Sequence, residues 1–208
     1  MNYEVRPIDR ASHKLAFELV TEVFVEESTL HRALNADLKE YREFLCTSFE
    51  AMVSEGLSVA AFHKASDKLA GCMIVTDFHN QLTQKPNSHP KFASMSALTA
   101  ELCRQYGQIR SVRAGEVILI DMGAVSKEYL GVGVYQQMRS VVQKTAARRG
   151  FRKVVGELSS MATQNVVLQK LGHSRMAEIS FATFECDDKY PFREIDEPPS
   201  IILAEGDL

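Results

Sequence analysis

"GEVILIDMGAVSKEYLGVGVYQQMRSVVQK", residues 115–144, decides the fold, because it joins an apolar run to a helical pattern through a turn with two glycines. The four consecutive apolar residues Val117–Ile120 are typical of a strand covered on both faces. From Val134 the apolar residues follow helical spacing, and Gly150 suits the end of that helix. A strand, a glycine turn and a helix present free backbone N–H groups, so the stretch predicts an anion-binding turn.

Two common phosphate-binding patterns do not fit this turn. The dinucleotide pattern GxGxxG needs a third glycine where this chain has Gln136, and the GK[ST] of a P-loop is absent. The bulky Tyr135 also stands where such loops usually have a small residue. The turn therefore needs another explanation.

The rest of the chain predicts one mixed α/β domain over residues 1–208. Apolar alternation marks strands and apolar spacing of three and four marks helices. The predicted order is β-α-α-β-β-(loop, α)-β-α-β-α-β-β, with strands 2 to 4 as an antiparallel meander and strands 4 and 5 parallel. The predicted segments include an edge strand over 2–8, helices beginning near 12 and 38, a loop over 79–93 and a helix over about 94–106.

Composition narrows the classes of function. A net charge of −3 over 208 residues gives no general attraction to nucleic acid or to anionic membranes. The four cysteines form no CxxC pair and no zinc-ligand spacing, so no metal site is expected. The N-terminus lacks the apolar core of a signal peptide, and no apolar run is long enough to span a bilayer. We therefore expect a cytoplasmic protein with no nucleic-acid or membrane partner.

The turn and the order of elements resemble the GNAT superfamily of acetyl-CoA-dependent N-acyltransferases. In that family the fourth strand and the next helix carry an Arg/Gln-x-x-Gly-x-Gly/Ala turn that holds the CoA pyrophosphate. Gly131 and Gly133 match the glycines of this turn, whereas Leu130 replaces the basic or amide residue and Tyr135 replaces the small last residue. The match in order and spacing covers about residues 115–185.

The arylalkylamine N-acetyltransferase-like branch of the superfamily resembles the chain more specifically. Its members have a long loop-plus-helix insert before strand 4, as this chain has at 79–115. They also carry an acidic Phe-x-x-(Asp/Glu)-Glu-Pro-Leu segment after the first helix. The stretch Phe24–Leu30, "FVEESTL", matches this segment in part and lacks the proline.

The resemblance implies a mixed sheet of about seven strands, mostly antiparallel, with strands 4 and 5 parallel and splayed, flanked by helices. Residues of about 10–56 and 79–115 would form the acceptor side, and residues of about 115–173 the CoA-binding core. Acetyl-CoA would be the co-substrate, with its pantetheine arm along strand 4. The residues implied in binding it are Gly123, Val125, Gly131, Val132, Gly133, Val134, Tyr135 and Asn165. From the sequence alone, two alternatives are equally open: Gly123 as a plain strand end, and Asn165 as a helix N-cap.

Several residues are candidates for acid–base chemistry. Glu26 and Glu27 are candidate bases, and the resemblance favours Glu27. Asp121 is another, because a carboxylate within an apolar strand should face a cleft or a partner, whereas Glu116 and Glu157 on neighbouring strands are weaker options.

The acid that many GNAT members use is a tyrosine, at a position where this chain has Leu168. The conceivable substitutes are Ser159, Ser160 and Tyr135.

The implied function is an N-acetyltransferase that moves an acetyl group from acetyl-CoA to a small amine by direct attack in a ternary complex. The alternative is a protein of the same fold that binds or senses an acyl-CoA with little or no turnover. A homodimer formed through exposed strand edges is a further expectation from the resemblance. The acceptor pocket should suit an apolar or aromatic amine, given Phe24, Leu30, Leu34, Phe78 and Phe92.

Overall fold

A single twisted sheet organises the protein, and the computed structural model describes residues 2–83 and 89–208. Part of the predicted loop, residues 84–88, therefore lies outside the described residues. The sheet contains the strands β1 (Tyr3–Pro7), β2 (Val59–His63), β3 (Leu69–Asp77), β4 (Val117–Val125), β5 (Lys153–Leu158), β6 (Ser174–Ser180) and β7 (Ser200–Asp207).

The seven strands lie in the order β1-β2-β3-β4-β5-β7-β6. The β4–β5 pair is parallel, and each other neighbouring pair is antiparallel. This confirms the predicted fold class of one mixed sheet flanked by helices, including the antiparallel meander from β2 to β4.

Helical segments flank the sheet. They are α1 (Arg10–Glu27), α2 (Thr29–Ala33), α3 (Leu38–Ser54), α4 (Phe78–Thr83), α5 (Ala93–Ile109), α6 (Val134–Arg148), α7 (Met161–Gln164) and a π-helical segment (Asn165–Lys170). Asp9 and Asp37 make reciprocal capping boxes that start α1 and α3. The prediction of a loop from residue 79 was wrong, because α4 continues from β3 and fully buries Phe78.

The helices cover the two faces of the sheet. Helices α1 and α3 pack on β3, and α5 packs on β6 and β7. Helix α6 packs on β2, β3 and β4 from the opposite face. Val154 belongs to the α6 core and Leu158 packs with Val167 of the π-helical segment. Since residues 154 and 158 point to the same face of β5, α6 and the π-helical segment lie on one face, with β5 beneath the groove between them.

The parallel pair β4–β5 comes apart part-way along its length. Pairing joins Val117–Ile120 to Lys153–Gly156 and stops there, although β4 runs on to Val125 and β5 to Leu158. Strand β3 remains paired with β4 as far as Val125. The sheet therefore has a fork between β4 and β5, as the predicted splay of strands 4 and 5 requires.

Among residues 2–83 and 89–208, every helix is too short or too polar to cross a lipid bilayer.

Candidate active site at the strand fork

The fork opens into a cavity of about 1190 Å³. On one face of the sheet α1, α3 and α5 line it, and on the other face Tyr135 and Arg139 of α6 line it. Between them lie Ile120–Gly123 of β4 and Gly156–Leu158 of β5. The cavity thus passes through the sheet at the point where the two strands separate.

Two carboxylates, Asp121 and Glu157, occupy the apex of the fork. They directly follow Ile120 and Gly156, the last paired residues of β4 and β5. A β-bulge accounts for the position of Asp121, because Val75 pairs with Ile120 and the next residue, Ile74, pairs with Met122, which leaves Asp121 as the extra residue. The fork and the bulge together bring the two acids into one cavity.

Burial controls the protonation of this pair. Desolvation raises the pKa of Asp121 to about 6. Desolvation, and then the charge of Asp121, raise the pKa of Glu157 to about 8, against the lowering effect of a hydrogen bond that the Thr99 hydroxyl donates to Oε2 at 3.1 Å. Glu157 Oε1 has no hydrogen-bond partner among the described residues. At neutral pH, Glu157 therefore keeps its proton and Asp121 is mostly ionised.

The wall beside Asp121 is aromatic and neutral. The Tyr41 hydroxyl donates to Met122 Sδ at 3.7 Å, and burial, with the charge of Asp121, raises the pKa of Tyr41. Burial lowers the pKa of His31 to about 4, so this ring is uncharged, and its centroid lies 4.3 Å from that of Tyr41. Phe24, as predicted for the acceptor side, also lines the cavity.

Other apolar residues expected to wall the acceptor pocket have different places. Leu30 lines the cavity, but Phe78 and Phe92 are fully buried in core clusters and are not part of its lining. Leu34 packs against the same clusters.

The two predicted glutamates at the end of α1 lie at the surface. Lys127 Nζ lies 2.8 Å from Glu26 Oε2 and 3.8 Å from Glu27 Oε1, and both carboxylate side chains are more than half exposed. Glu27 lies at the lining of the cavity, whereas Glu26 does not. Lys127 therefore forms ion pairs with both glutamates.

Ser160 and Asn165 have different surroundings. Ser160 lines the cavity and caps α7, where its Oγ accepts a hydrogen bond from Thr163 N at 3.2 Å. Asn165 is exposed and begins the π-helical segment. Because Ser160 is the N-cap residue here, the reading of Asn165 as an N-cap was wrong.

The glycine turn presents backbone groups in the way that the sequence suggested. Gly131 and Gly133 have φ of +75° and +88°, and no atom lies within 4 Å of where a Cβ would be, so the backbone conformation is what requires glycine. Helix α6 begins at Val134 without a side-chain cap. Leu130 and Val132 are 61% and 60% exposed. The first N–H groups of α6 are therefore available to an anion, but the turn supplies no charged side chain.

Tyr135 packs against the open part of β4. A Cβ added to Gly123 would lie 2.7 Å from Tyr135 Cε2, so the glycine makes room for the ring. Tyr135 and Val125 belong to the margin of the core beneath α6, and Tyr135 also lines the cavity. The tyrosine thus stands between the start of α6 and the fork.

Sequence reasoning ranked Glu157 low and missed Arg139. Arg139 is only 6% exposed, lines the cavity, and places Nη2 3.3 Å from His173 Nε2. The available signal was its position next to Met138 and four residues after Tyr135, at the edge of the buried face of α6. For Glu157 the signal was a carboxylate within the apolar strand β5.

Comparison with known proteins shows which solved structures share this fold. No protein-family model matches the chain, and a search of curated proteins finds no match. Among solved structures, the C-terminal condensation domain of Ebony, in complex with beta-alanyl-dopamine, superposes with a TM-score of 0.88 at 13% identity, over 99% of each chain. A mosquito arylalkylamine N-acetyltransferase like 5b gives 0.75 at 17% identity, over 99% of this chain and all of that one.

A polyamine N-acetyltransferase from Drosophila melanogaster gives a TM-score of 0.76 at 16% identity, over 99% of this chain and 100% of that chain. This is the GNAT fold. The superposition covers nearly the whole chain, so α1, α3 and α5 belong to the shared fold as much as the sheet does.

Proposed function

We propose that this protein is an N-acetyltransferase that moves an acetyl group from acetyl-CoA to the amine of a small molecule. The fork carries the proposal, because it combines an unpaired strand edge, a cavity through the sheet and two half-buried carboxylates at its apex. The GNAT fold of neighbours that are named N-acetyltransferases supports it.

The donor would lie between the glycine turn and the fork. The backbone N–H groups at Gly133–Tyr135 would hold the pyrophosphate, and the edge of β4 beyond Ile120 would pair with the pantetheine arm. Acetyl-CoA supplies the activated acyl group as a thioester. The β4 backbone near Gly123–Val125 can donate to the thioester oxygen as negative charge develops on it. With Leu130 at the turn and Lys127 paired with acids, backbone groups provide most of the phosphate contacts.

Asp121 is the proposed base. An ammonium has no free electron pair, so it must lose a proton before it can attack the thioester. A carboxylate with a pKa of about 6 accepts that proton better than an ordinary one. Glu157, protonated at neutral pH, leaves a single negative charge at the fork to face the cationic amine. Glu27, at the cavity lining, is the competing assignment.

The acceptor would enter from the face covered by α1, α3 and α5. Phe24, Tyr41 and Phe44 line this part of the cavity, and His31 is neutral. An amine that carries an aromatic group suits this wall, and Asp121 lies beyond the wall, at the fork.

One assay tests the function and the base together. Purified protein is incubated with acetyl-CoA and a panel of aromatic amines, aliphatic amines and polyamines, while release of free thiol is followed. Asp121→Asn should lower kcat on the order of 100-fold or more, as removal of a general base does. Glu43→Gln, which changes an exposed carboxylate of α3, should leave kcat unchanged.

The outcomes separate the alternatives. Loss of turnover in Glu27→Gln with full turnover in Asp121→Asn would move the base to α1 and leave the transferase function standing. Tight binding of acetyl-CoA with no thiol release across the panel would instead favour a binding or sensing protein. A β-alanyl thioester is tested as a second donor, since the Ebony condensation domain was solved in complex with beta-alanyl-dopamine. Faster turnover of that donor would change the acyl group assigned.

A further inference from the structure

Arg139 is a buried cation on the donor side of the fork. It projects from the second turn of α6, one helical turn beyond Tyr135, and is 6% exposed. It lines the same cavity as Gly156 and Glu157. A guanidinium that is removed from water in this way needs a partner that compensates its charge.

The described part of the chain supplies no such partner. Among residues 2–83 and 89–208, no carboxylate oxygen lies within 4.0 Å of the Arg139 guanidinium, and its Nε has no hydrogen-bond partner. Among the described residues its polar side-chain contact is with His173, whose pKa falls to about 4 through burial and the charge of Arg139, so that ring is neutral. Arg139 is therefore prepared for an anion that comes from outside the chain.

The position of Arg139 indicates which anion this is. The Arg139 side chain reaches from α6 to His173, which follows the π-helical segment, and it lines the cavity together with Gly156 of β5. The opposite wall is apolar, since Leu168 packs with Leu158 and Val167. The N–H groups of the glycine turn, a full helical turn away, already suit the phosphates. The β4 backbone near Gly123–Val125 suits the thioester oxygen, so the remaining group of the donor that becomes negative at the fork is the sulfur of the thioester.

We infer that Arg139 stabilises the departing thiolate, in place of a tyrosine acid that the chain lacks at Leu168. This rests on the proposed function. Before the step, the ammonium loses its first proton through Asp121 to solvent. In the step, the amine nitrogen bonds to the carbonyl carbon, its second proton passes to the Asp121 carboxylate, and the C–S bond breaks with both electrons going to sulfur. The guanidinium pairs with that sulfur and keeps all its protons. The proton on Asp121 then returns to solvent.

His173 is a positioning residue in this arrangement. Its Nε2 accepts the hydrogen bond from Arg139 Nη2 at 3.3 Å, which requires the proton on Nδ1. A Cβ at Gly206 would lie 2.4 Å from His173 Nε2, so a glycine in β7 leaves room for the ring. The imidazole thus directs the guanidinium without neutralising it.

The test measures the acidity of bound CoA and needs no turnover. Protein saturated with free CoA is titrated with base, and the ultraviolet absorbance of the thiolate reports the thiol pKa. A nearby cation should lower that pKa by about one unit or more from the ordinary thiol value of about 8.5. Arg139→Gln should return it to the ordinary value, Arg139→Lys should keep part of the shift, and Arg148→Gln, an exposed arginine of α6, should keep all of it.

A second readout uses acetyl thioesters whose thiols differ in acidity. Turnover by Arg139→Gln should depend more steeply on thiol acidity than turnover by the unaltered protein. CoA that binds with the same thiol pKa in the unaltered protein and in Arg139→Gln overturns the inference and leaves the transferase function intact. An ordinary thiol pKa in the unaltered protein overturns it even where the glutamine variant does not fold. Failure of the unaltered protein to bind CoA at all would overturn both proposals.

Discussion

Replacement of Glu157 by glutamine should make the protein progressively more stable than the unaltered chain as the pH rises. In the folded protein the pKa of Glu157 is raised from 4.5 to about 8, mainly by desolvation. A raised carboxyl pKa means that the folded state holds the proton more tightly than the unfolded state. The stability that this proton provides is complete below about pH 4.5 and is lost as the pH rises toward 8. Glutamine has no proton to lose.

The structure sets the size of the effect. Between about pH 5 and pH 8, the shift corresponds to at most about 3.5 kcal/mol of unfolding free energy. Glu157 lines an open cavity, so water and local relaxation should reduce the observed change to about 2 kcal/mol. Part of the shift comes from the charge of Asp121, and Asp121→Asn should therefore flatten the pH dependence that remains.

Urea unfolding at several pH values between about 5 and 8.5 measures this directly. The quantity compared is the difference in unfolding free energy between Glu157→Gln and the unaltered protein at each pH. Glu43→Gln, in an exposed position on α3, is the matched control and should give a difference that does not change with pH. A constant difference for Glu157→Gln would refute the reasoning, because it would mean that Glu157 ionises in the folded state as it does in the unfolded chain.

Two further predictions concern β4. Gly123→Ala should lower the free energy of unfolding by about 1–3 kcal/mol, because its Cβ would meet the Tyr135 ring at 2.7 Å, and Gly123→Ala combined with Tyr135→Ala should recover much of the loss in a thermal melt. Turnover should fall as the pH drops below about 6, where Asp121 takes up its proton; a pH–rate profile with no acid limb near that value would contradict its role as base.

The order of elements could be predicted because local signals mark it. The run Val117–Ile120 and the glycines at 131 and 133 identify a buried strand, a turn and a helix from neighbouring residues alone. Asp121 stood out as a candidate for the same reason, as a carboxylate inside an apolar run. The segment after β3 was misread, since its two prolines hid the short helix α4.

The rest of the site depends on register between distant segments. Whether Glu157 faces Asp121 is decided by where β4 and β5 stop pairing and by the bulge that shifts β4 against β3. Neither can be read from local spacing. Arg139 was hidden for a related reason, because only the packing of α6 beside the π-helical segment shows that its side chain is buried.

The short ladder between β4 and β5 has a mechanical consequence. The two halves of the sheet, β1 to β4 and β5 to β7, are fastened through the four residue pairs from Val117–Lys153 to Ile120–Gly156. A ligand arm that lies along β4 beyond Ile120 would form hydrogen bonds with the part of the β4 edge that β5 leaves unpaired. Part of its binding energy would then join the two halves of the sheet more firmly, in addition to the core packing of Val117 and Leu119 with Val155.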